Sequence, residues 1–420
     1  MQKSLDRKLA EIHANPSGSK AFILADAKDA DMAFGIGAPG RSPEMHAGEV
    51  RMRTLAEYRE NIRQITRQGL VDIMLMSAST VDALAIGERL FENSHVTPAA
   101  RANDASDIFV VRHGHYVAEP SRPFRTASLD HIQCGHADCE PVERTRGANL
   151  GLYSITFNNI LAEDMASLEA YRRFREEAER KGFRHFLEVF DPNAPQGLSA
   201  DAIPQFVNDS IARTLAGVAA AGRPVFLKIV YHGPRAMEEL VSYDPHLVVG
   251  ILGGSAGTTY DAFKLVAEAQ KYGARAALFG RKINSAECQL AFVEFLRRVV
   301  EGEVSPEEAV RAYHGVLARL KIKPRRSLAD DMRLESGIAS YGGRSSVSVP
   351  AGLPRRSAKE SKAAAKHDCG CGGTSAHECH CQDKSTASKL LADGTPDFAR
   401  MTTAEKLAYN KAKRDRIFGA

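Results

Sequence analysis

Up to about Leu320 the chain alternates short apolar runs with longer stretches in which apolar residues recur every third or fourth position, the mark of strands each followed by an amphipathic helix. Seven strands are clear: 21–25 (AFILA), 71–76 (VDIMLM), 151–157 (GLYSITF), 183–190 (FRHFLEVF), 224–231 (PVFLKIVY), 247–252 (LVVGIL) and 275–279 (RAALF). A further strand, third in order, falls between Val96 and Val111, where VTPAARAND and DIFVV are both candidates. Helical periodicity covers 55–68, 80–91, 165–181, 203–221, 236–242 and 259–272. Several of these stretches start after a Ser, Thr or Asp of capping type and end before a glycine or proline. Two more helical patterns, 286–300 and 306–320, follow the last strand and are expected on the outside.

Eight strands separated by helices over about 270 residues predict an α/β fold of the (β/α)8 barrel kind rather than an open doubly wound sheet, for which there is no glycine-rich nucleotide fingerprint. Region 113–149 breaks the rhythm. It is long, rich in Pro, Arg, His and Gly, and weakly periodic, as an inserted lid is. From about residue 340 the composition turns to Gly, Ser, Lys and Ala. The expected organisation is a barrel domain over 1–339, a flexible linker over 340–388 and a short helical docking segment over 389–420.

Composition agrees with a globular body: 44% of residues are apolar and 26% charged. No apolar run reaches the ~18 residues of a membrane span, and Met1 to Ala10 lacks a continuous apolar stretch, so no membrane partner is expected and the cytoplasm is the default location. The net charge of +4 is concentrated at one end. From Ala351 to Ala420 there are 13 Lys/Arg against 8 Asp/Glu, which leaves the barrel region close to neutral and gives no basis for a nucleic-acid partner there.

Barrel enzymes work at the carboxyl ends of their strands, so charges inside the apolar runs are the candidates for chemistry. Three stand out: Asp26 closing the first strand, Glu188 in FLEVF and Lys228 in FLKIV. A lysine facing a barrel interior is costly unless paired or neutralised, and a neutral amine there can attack a carbonyl to form a Schiff base. Its alternative is a structural salt bridge, or a position on the outer face of the strand. Glu188 would move protons for such an amine, and could equally be its salt-bridge partner. The last two strands end in Gly253-Gly254-Ser255 and Gly280-Arg281, where backbone amides and a guanidinium can cradle a phosphate, although tight-turn glycines would look the same.

With Lys228, Glu188 and the two glycine loops, the sequence over about 21–323 resembles the class I, Schiff-base aldolases of the superfamily of deoxyribose-phosphate and archaeal-type fructose-bisphosphate aldolases. It looks closest to the tagatose-bisphosphate and sulfofructosephosphate aldolases. The resemblance implies Lys228 as the Schiff-base lysine, Glu188 as proton shuttle, and Asp26 as an acid that positions substrate hydroxyls. It implies a phosphate site of Gly253, Gly254, Ser255, Gly280 and Arg281, with no cofactor for catalysis. There are two departures: Phe190 stands where archaeal-type members tend to have a tyrosine, and region 101–149 replaces a compact third βα unit.

The expected activity is therefore that of a lyase on a phosphorylated ketose or related keto compound, in a homo-oligomer. The alternatives are a barrel that has lost turnover and acts as a scaffold, and a phosphosugar isomerase or epimerase. Two cysteine groups lie apart from this site. His131, Cys134, His136 and Cys139 have the spacing of a zinc site, set against a plain polar lid. In the tail, Cys369, Cys371, Cys379 and Cys381 with His367 suit zinc or copper(I), set against a redox-sensitive tail. The basic amphipathic pattern over 403–418 suits docking on a protein partner or shell.

Overall fold

A computed structural model of the protein describes residues 1–46, 49–254, 257–335 and Thr402. Eight strands run as β1 (Ile23–Lys28), β2 (Ile73–Met76), β3 (Thr97–Arg101), β4 (Leu150–Thr156), β5 (Arg184–Phe190), β6 (Leu227–Ile229), β7 (Val249–Leu252) and β8 (Ala276–Phe279). Each pairs in parallel with the next, and β8 pairs with β1, which closes the sheet into the expected (β/α)8 barrel.

The third strand is the first of its two candidates. The DIFVV segment is not a strand; instead Asp104–Ala105 pairs antiparallel with Pro123–Phe124. The major described helices are α1 (Ser4–Ala14), α2 (Leu55–Gln68), α3 (Leu161–Arg180), α4 (Ile203–Ala216), α5 (Pro234–Tyr243), α6 (Thr259–Lys271), α7 (Gln289–Val300) and α8 (Pro306–Arg319). Thr54, Thr258 and Ser305 start α2, α6 and α8 with reciprocal capping boxes, each accepting from the third backbone N–H while an acidic side chain returns to the cap.

Strand parity sorts the core into two layers. Ala25, Leu75, Leu152, Phe186, Phe226 and Leu278 face the barrel interior, with the Phe186 and Phe226 rings stacked 4.5 Å apart. Leu5, Leu9 and Ile12 of α1 join that inner cluster, while Lys3 and Lys8 donate to backbone carbonyls just ahead of β1 and β3. Helix α1, which the strand-and-helix rhythm does not include, thus caps the amino-terminal end of the barrel. The neighbouring positions, such as Leu24, Met74, Tyr153, Leu187 and Ile251, face outward and pack under the helices.

Three departures from the expected rhythm reshape the loops. A two-stranded ribbon, Arg41–His46 with Glu49–Met52, is inserted between β1 and α2. The helix after β2 is short, Ala78–Val81, and widens into a π turn over Asp82–Gly87 instead of running on to residue 91. Between β3 and β4 the only helix of more than one turn is Leu129–Cys134, whose Leu129 and Ile132 are fully buried in the outer core. Among the described residues no helix is long and apolar enough to cross a membrane. The features expected in the tail, the His367/Cys369/Cys371/Cys379/Cys381 group and the terminal helix, lie outside the described residues.

Candidate active site

Because all eight strands are parallel, their carboxyl ends meet at one mouth. Positions 186 and 226 face inward, so by the two-residue period positions 188 and 228 do also. In register, Glu188 lies opposite Lys228 on β6 and opposite Ser154 on β4, so three side chains from adjacent strands share one level.

At that level Lys228 Nζ is 2.5 Å from Glu188 Oε1. The other carboxylate oxygen, Oε2, accepts from Ser154 Oγ at 2.7 Å and has Arg101 Nη2 at 3.6 Å. Arg101, at the end of β3, donates through Nη1 to Ser154 Oγ at 3.0 Å and through Nε to Asp29 Oδ2 at 2.6 Å. Two cations and two carboxylates therefore alternate in one buried chain, in which each charge has a partner and burial is tolerated. Burial alone would disfavour the Arg101 cation, but Asp29 and Glu188 outweigh it and hold its pKa above the ordinary value. The Lys228 side chain is 8% exposed and that of Glu188 1%, so the amine is the member that reaches the open space.

That space is a cavity at the mouth. Asp29, Arg101, Glu188 and Lys228 form its polar wall, and Ala33, Phe34, Ile108, Phe190 and Leu252 its apolar side. Gly253, Gly254, Gly280 and Arg281 line it as well. A Cβ on Gly253 would lie 2.1 Å from the Phe279 ring, and one on Gly280 2.5 Å from the Ala27 carbonyl oxygen. Bare backbone is therefore required where β7 and β8 end, and peptide groups line the cavity there. The Arg281 guanidinium lies over the Phe34 ring, 5.4 Å from its centre. Ser255 lies outside the described residues.

Asp26 is not part of this cavity. It sits on β1 with the outward parity and forms an ion pair with Lys28, Nζ to Oδ2 3.2 Å, both side chains being fully buried. Lys28 also donates to Asn284 and, at 2.9 Å, to Gln289, which ties the strand to the segment around α7. Burial pushes the Asp26 carboxyl up to about 6 against the pull of Lys28, and pushes the Lys28 ammonium down. The acid from the first βα unit that lines the cavity is Asp29, three residues further on. Asp29, Arg101 and Ser154 are thus the polar members of the site that the sequence reading did not name. Their signal is a polar side chain near a strand end, visible for Ser154 within GLYSITF and hidden for Arg101 until β3 is located.

No family model and no curated protein matches the sequence. Solved structures do resemble it. An archaeal fructose 1,6-bisphosphate aldolase is 15% identical, with 70% of this chain and 99% of that chain covered, at a TM-score of 0.50. A second archaeal fructose-1,6-bisphosphate aldolase structure, with its catalytic lysine covalently bound to a carbinolamine intermediate, is 16% identical over 70% of this chain and 99% of that one, also at 0.50. A fructose-bisphosphate aldolase from Slackia heliotrinireducens is 12% identical over 74% and 91%, at 0.53. At such identities the likeness is one of fold.

None of the residues lining the cavity comes from 113–149. Within that insertion the four residues proposed from spacing separate. Cys134 and Cys139 come together with Glu143, all three ligand atoms lying within 4.8 Å of one another. His136 Nε2 is 3.3 Å from Glu143 Oε2. His131 is drawn elsewhere, since its Nδ1 shares a 2.6 Å hydrogen bond with the helix cap Ser128.

Proposed function

We propose that this chain is a class I aldolase acting on a phosphorylated ketose or a closely related keto compound. The observation that carries the reading is the inward Lys228 amine, 2.5 Å from Glu188 and in one cavity with the peptide groups that end β7 and β8. The barrels that resemble this one include an aldolase whose catalytic lysine bonds its substrate covalently, which supports the same use of Lys228.

In this mechanism Glu188 takes a proton from the Lys228 ammonium, and the freed amine adds to the substrate carbonyl carbon. Protonation of the carbinolamine oxygen by the Glu188 acid lets water leave, giving an iminium. The carbon-carbon bond then breaks. Its electron pair flows into the iminium to form an enamine, while the hydroxyl of the departing fragment gives its proton to the Glu188 carboxylate as it becomes an aldehyde. Reprotonation of the enamine and hydrolysis release the second product and restore the amine. Ser154 and Arg101 hold Glu188 through Oε2, which leaves Oε1 for proton transfer. Gly253, Gly254, Gly280 and Arg281 would take the phosphate, and Asp29 is placed for substrate hydroxyls in the role first assigned to Asp26. Phe190 lines the cavity and supplies no phenol, so the Glu188 carboxyl alone carries the shuttle.

Borohydride reduction with fructose 1,6-bisphosphate or dihydroxyacetone phosphate should leave a stable mass adduct on the peptide containing Lys228, and K228M should abolish both the adduct and cleavage. An active preparation that gives no adduct, with K228M retaining its rate, overturns the mechanism.

A further inference from the structure

The loop 134–146 is closed at its neck by backbone pairs, Gly147 N–H to the Gln133 carbonyl at 2.8 Å and Ala148 N–H to that of Ile132 at 3.0 Å. Loops of this compact kind are usually filled by their own apolar side chains. This one is not. Its one large aliphatic residue, Val142, is 86% exposed, whereas Cys134 and Cys139 are 4% and 5% exposed. The side chains turned inward are two thiols and, half-buried beside them, the Glu143 carboxylate.

A histidine beside Glu143 is already oriented. His136 Nδ1 is 2.7 Å from the Ala137 carbonyl oxygen, which can only accept, so Nδ1 carries the hydrogen and the lone pair of the neutral ring is on Nε2. That lone pair faces Glu143 Oε2 at 3.3 Å. Two electron-rich atoms at this distance are held by a proton or a cation between them. A second-shell carbonyl fixing the tautomer of a histidine is the usual arrangement around a metal. A disulfide between the two cysteines would use neither the carboxylate nor the imidazole.

We infer that this loop is a structural zinc site formed by Cys134, Cys139, His136 and Glu143. Two sulfurs, one imidazole nitrogen and one carboxylate oxygen form a borderline-soft donor set suited to tetrahedral Zn²⁺, and four protein ligands close the site, as in structural rather than catalytic centres. On binding, both thiols release their protons to solvent and the ion cross-links a loop that little apolar burial holds together. The site is separate from the barrel cavity and independent of the aldolase reading.

The tail cysteines could also hold metal, so the reference protein is the full chain carrying C369S/C371S/C379S/C381S. After gel filtration in weak chelator, elemental analysis should find one zinc per chain, falling about tenfold or more when C134S/C139S is added and partly for E143Q or H136A. Cobalt(II) in place of zinc in the reference chain should give thiolate charge-transfer bands and the intense visible bands of a tetrahedral ion, a readout that stands even if C134S/C139S does not fold. A folded reference chain without zinc, retention of zinc by folded C134S/C139S, a cobalt spectrum lacking thiolate bands, or a Cys134–Cys139 disulfide in protein purified anaerobically would each overturn the assignment.

Discussion

Two buried lysine–carboxylate pairs lie on opposite faces of the same barrel wall. Lys228 and Glu188 face inward on β6 and β5, and Lys28 and Asp26 face outward on β1. Both pairs are withdrawn from water, and neither carries a net charge when ionised. What differs is what each amine can reach. Lys28 ends on Asn284 and Gln289, so its remaining donors are taken by the protein, whereas Lys228 opens onto the cavity. On the proposed mechanism, whether a buried ion pair is chemical or structural follows the parity of its strand positions, and residue type alone does not distinguish them.

The sharpest way to break this comparison is to remove each amine in turn. K228M should lower turnover about a thousandfold or more while the protein stays folded, because the nucleophile is lost outright. K28M should leave borohydride trapping intact and cost about 3–5 kcal/mol of stability near pH 8, read from urea denaturation, since Asp26 is left as an unpaired buried carboxylate. The K28M deficit should shrink toward pH 5. With its folded pKa raised above the unfolded value, Asp26 contributes stability at low pH and loses it as pH rises through about 6, the value it has even with Lys28 present. Loss of trapping in a folded K28M protein would place the outer pair in the chemistry and undo the distinction.

The sequence made the barrel legible because its strands are short aliphatic runs with helices of period 3.6 between them. The same aliphatic richness hid the parity. In a parallel barrel both faces of a strand are buried, so Ile23 to Ala27 shows no apolar–polar alternation to tell which way Asp26 points. Lys228 carried the same ambiguity, and the aldolase resemblance, not its pattern, favoured the inward choice. Arg101 was out of reach for another reason: Pro98 and Ala99-Ala100 make β3 a weak strand signal, so no parity could be counted there. In the insertion the cysteine spacing was visible, but Ser128 caps the helix Leu129–Cys134 and takes His131, while Glu143, nine residues past Cys134 in the chain, is brought back by the closed loop neck.

The next contrast lies within the inner network, between the residue that would react and the one that holds it. Arg101 bridges Ser154 and Asp29 through two different nitrogens and stands 3.6 Å from Glu188, a span that a single lysine ammonium cannot reproduce. R101K should therefore lower kcat about 10- to 100-fold with KM changed by less than about threefold. Lys228 should still be trapped. A KM effect without a kcat effect would make Arg101 a substrate-binding group instead of a positioning residue.

The smallest effect separates the pH dependence of rate from that of stability. His185, on the outer face of β5 three residues before Glu188, bonds Tyr171 Oη through Nε2 at 2.9 Å, with the Tyr171 and Phe174 rings edge-on to it. Burial, with Arg175 adding a little, lowers its pKa to about 3 from the ordinary 6.5, so the folded state holds it neutral. A histidine depressed in this way contributes stability above about pH 6.5, which is lost as the pH falls toward 3, with a slope of up to about 1.4 kcal/mol per pH unit. The Asp72 carboxyl also loses stabilisation in acid. Burial opposes its charge, but Arg297 and Lys8 keep its pKa below 3.8, so its window opens only under that value. H185Q should remove this acid-side loss and leave the opposite slope of Asp26 exposed, so that stability rises as the pH falls from about 6 toward 4, while the fall below pH 3.8 and the pH profile of turnover stay in place. An unchanged slope in H185Q would mean that another buried group on the outer face sets the acid response.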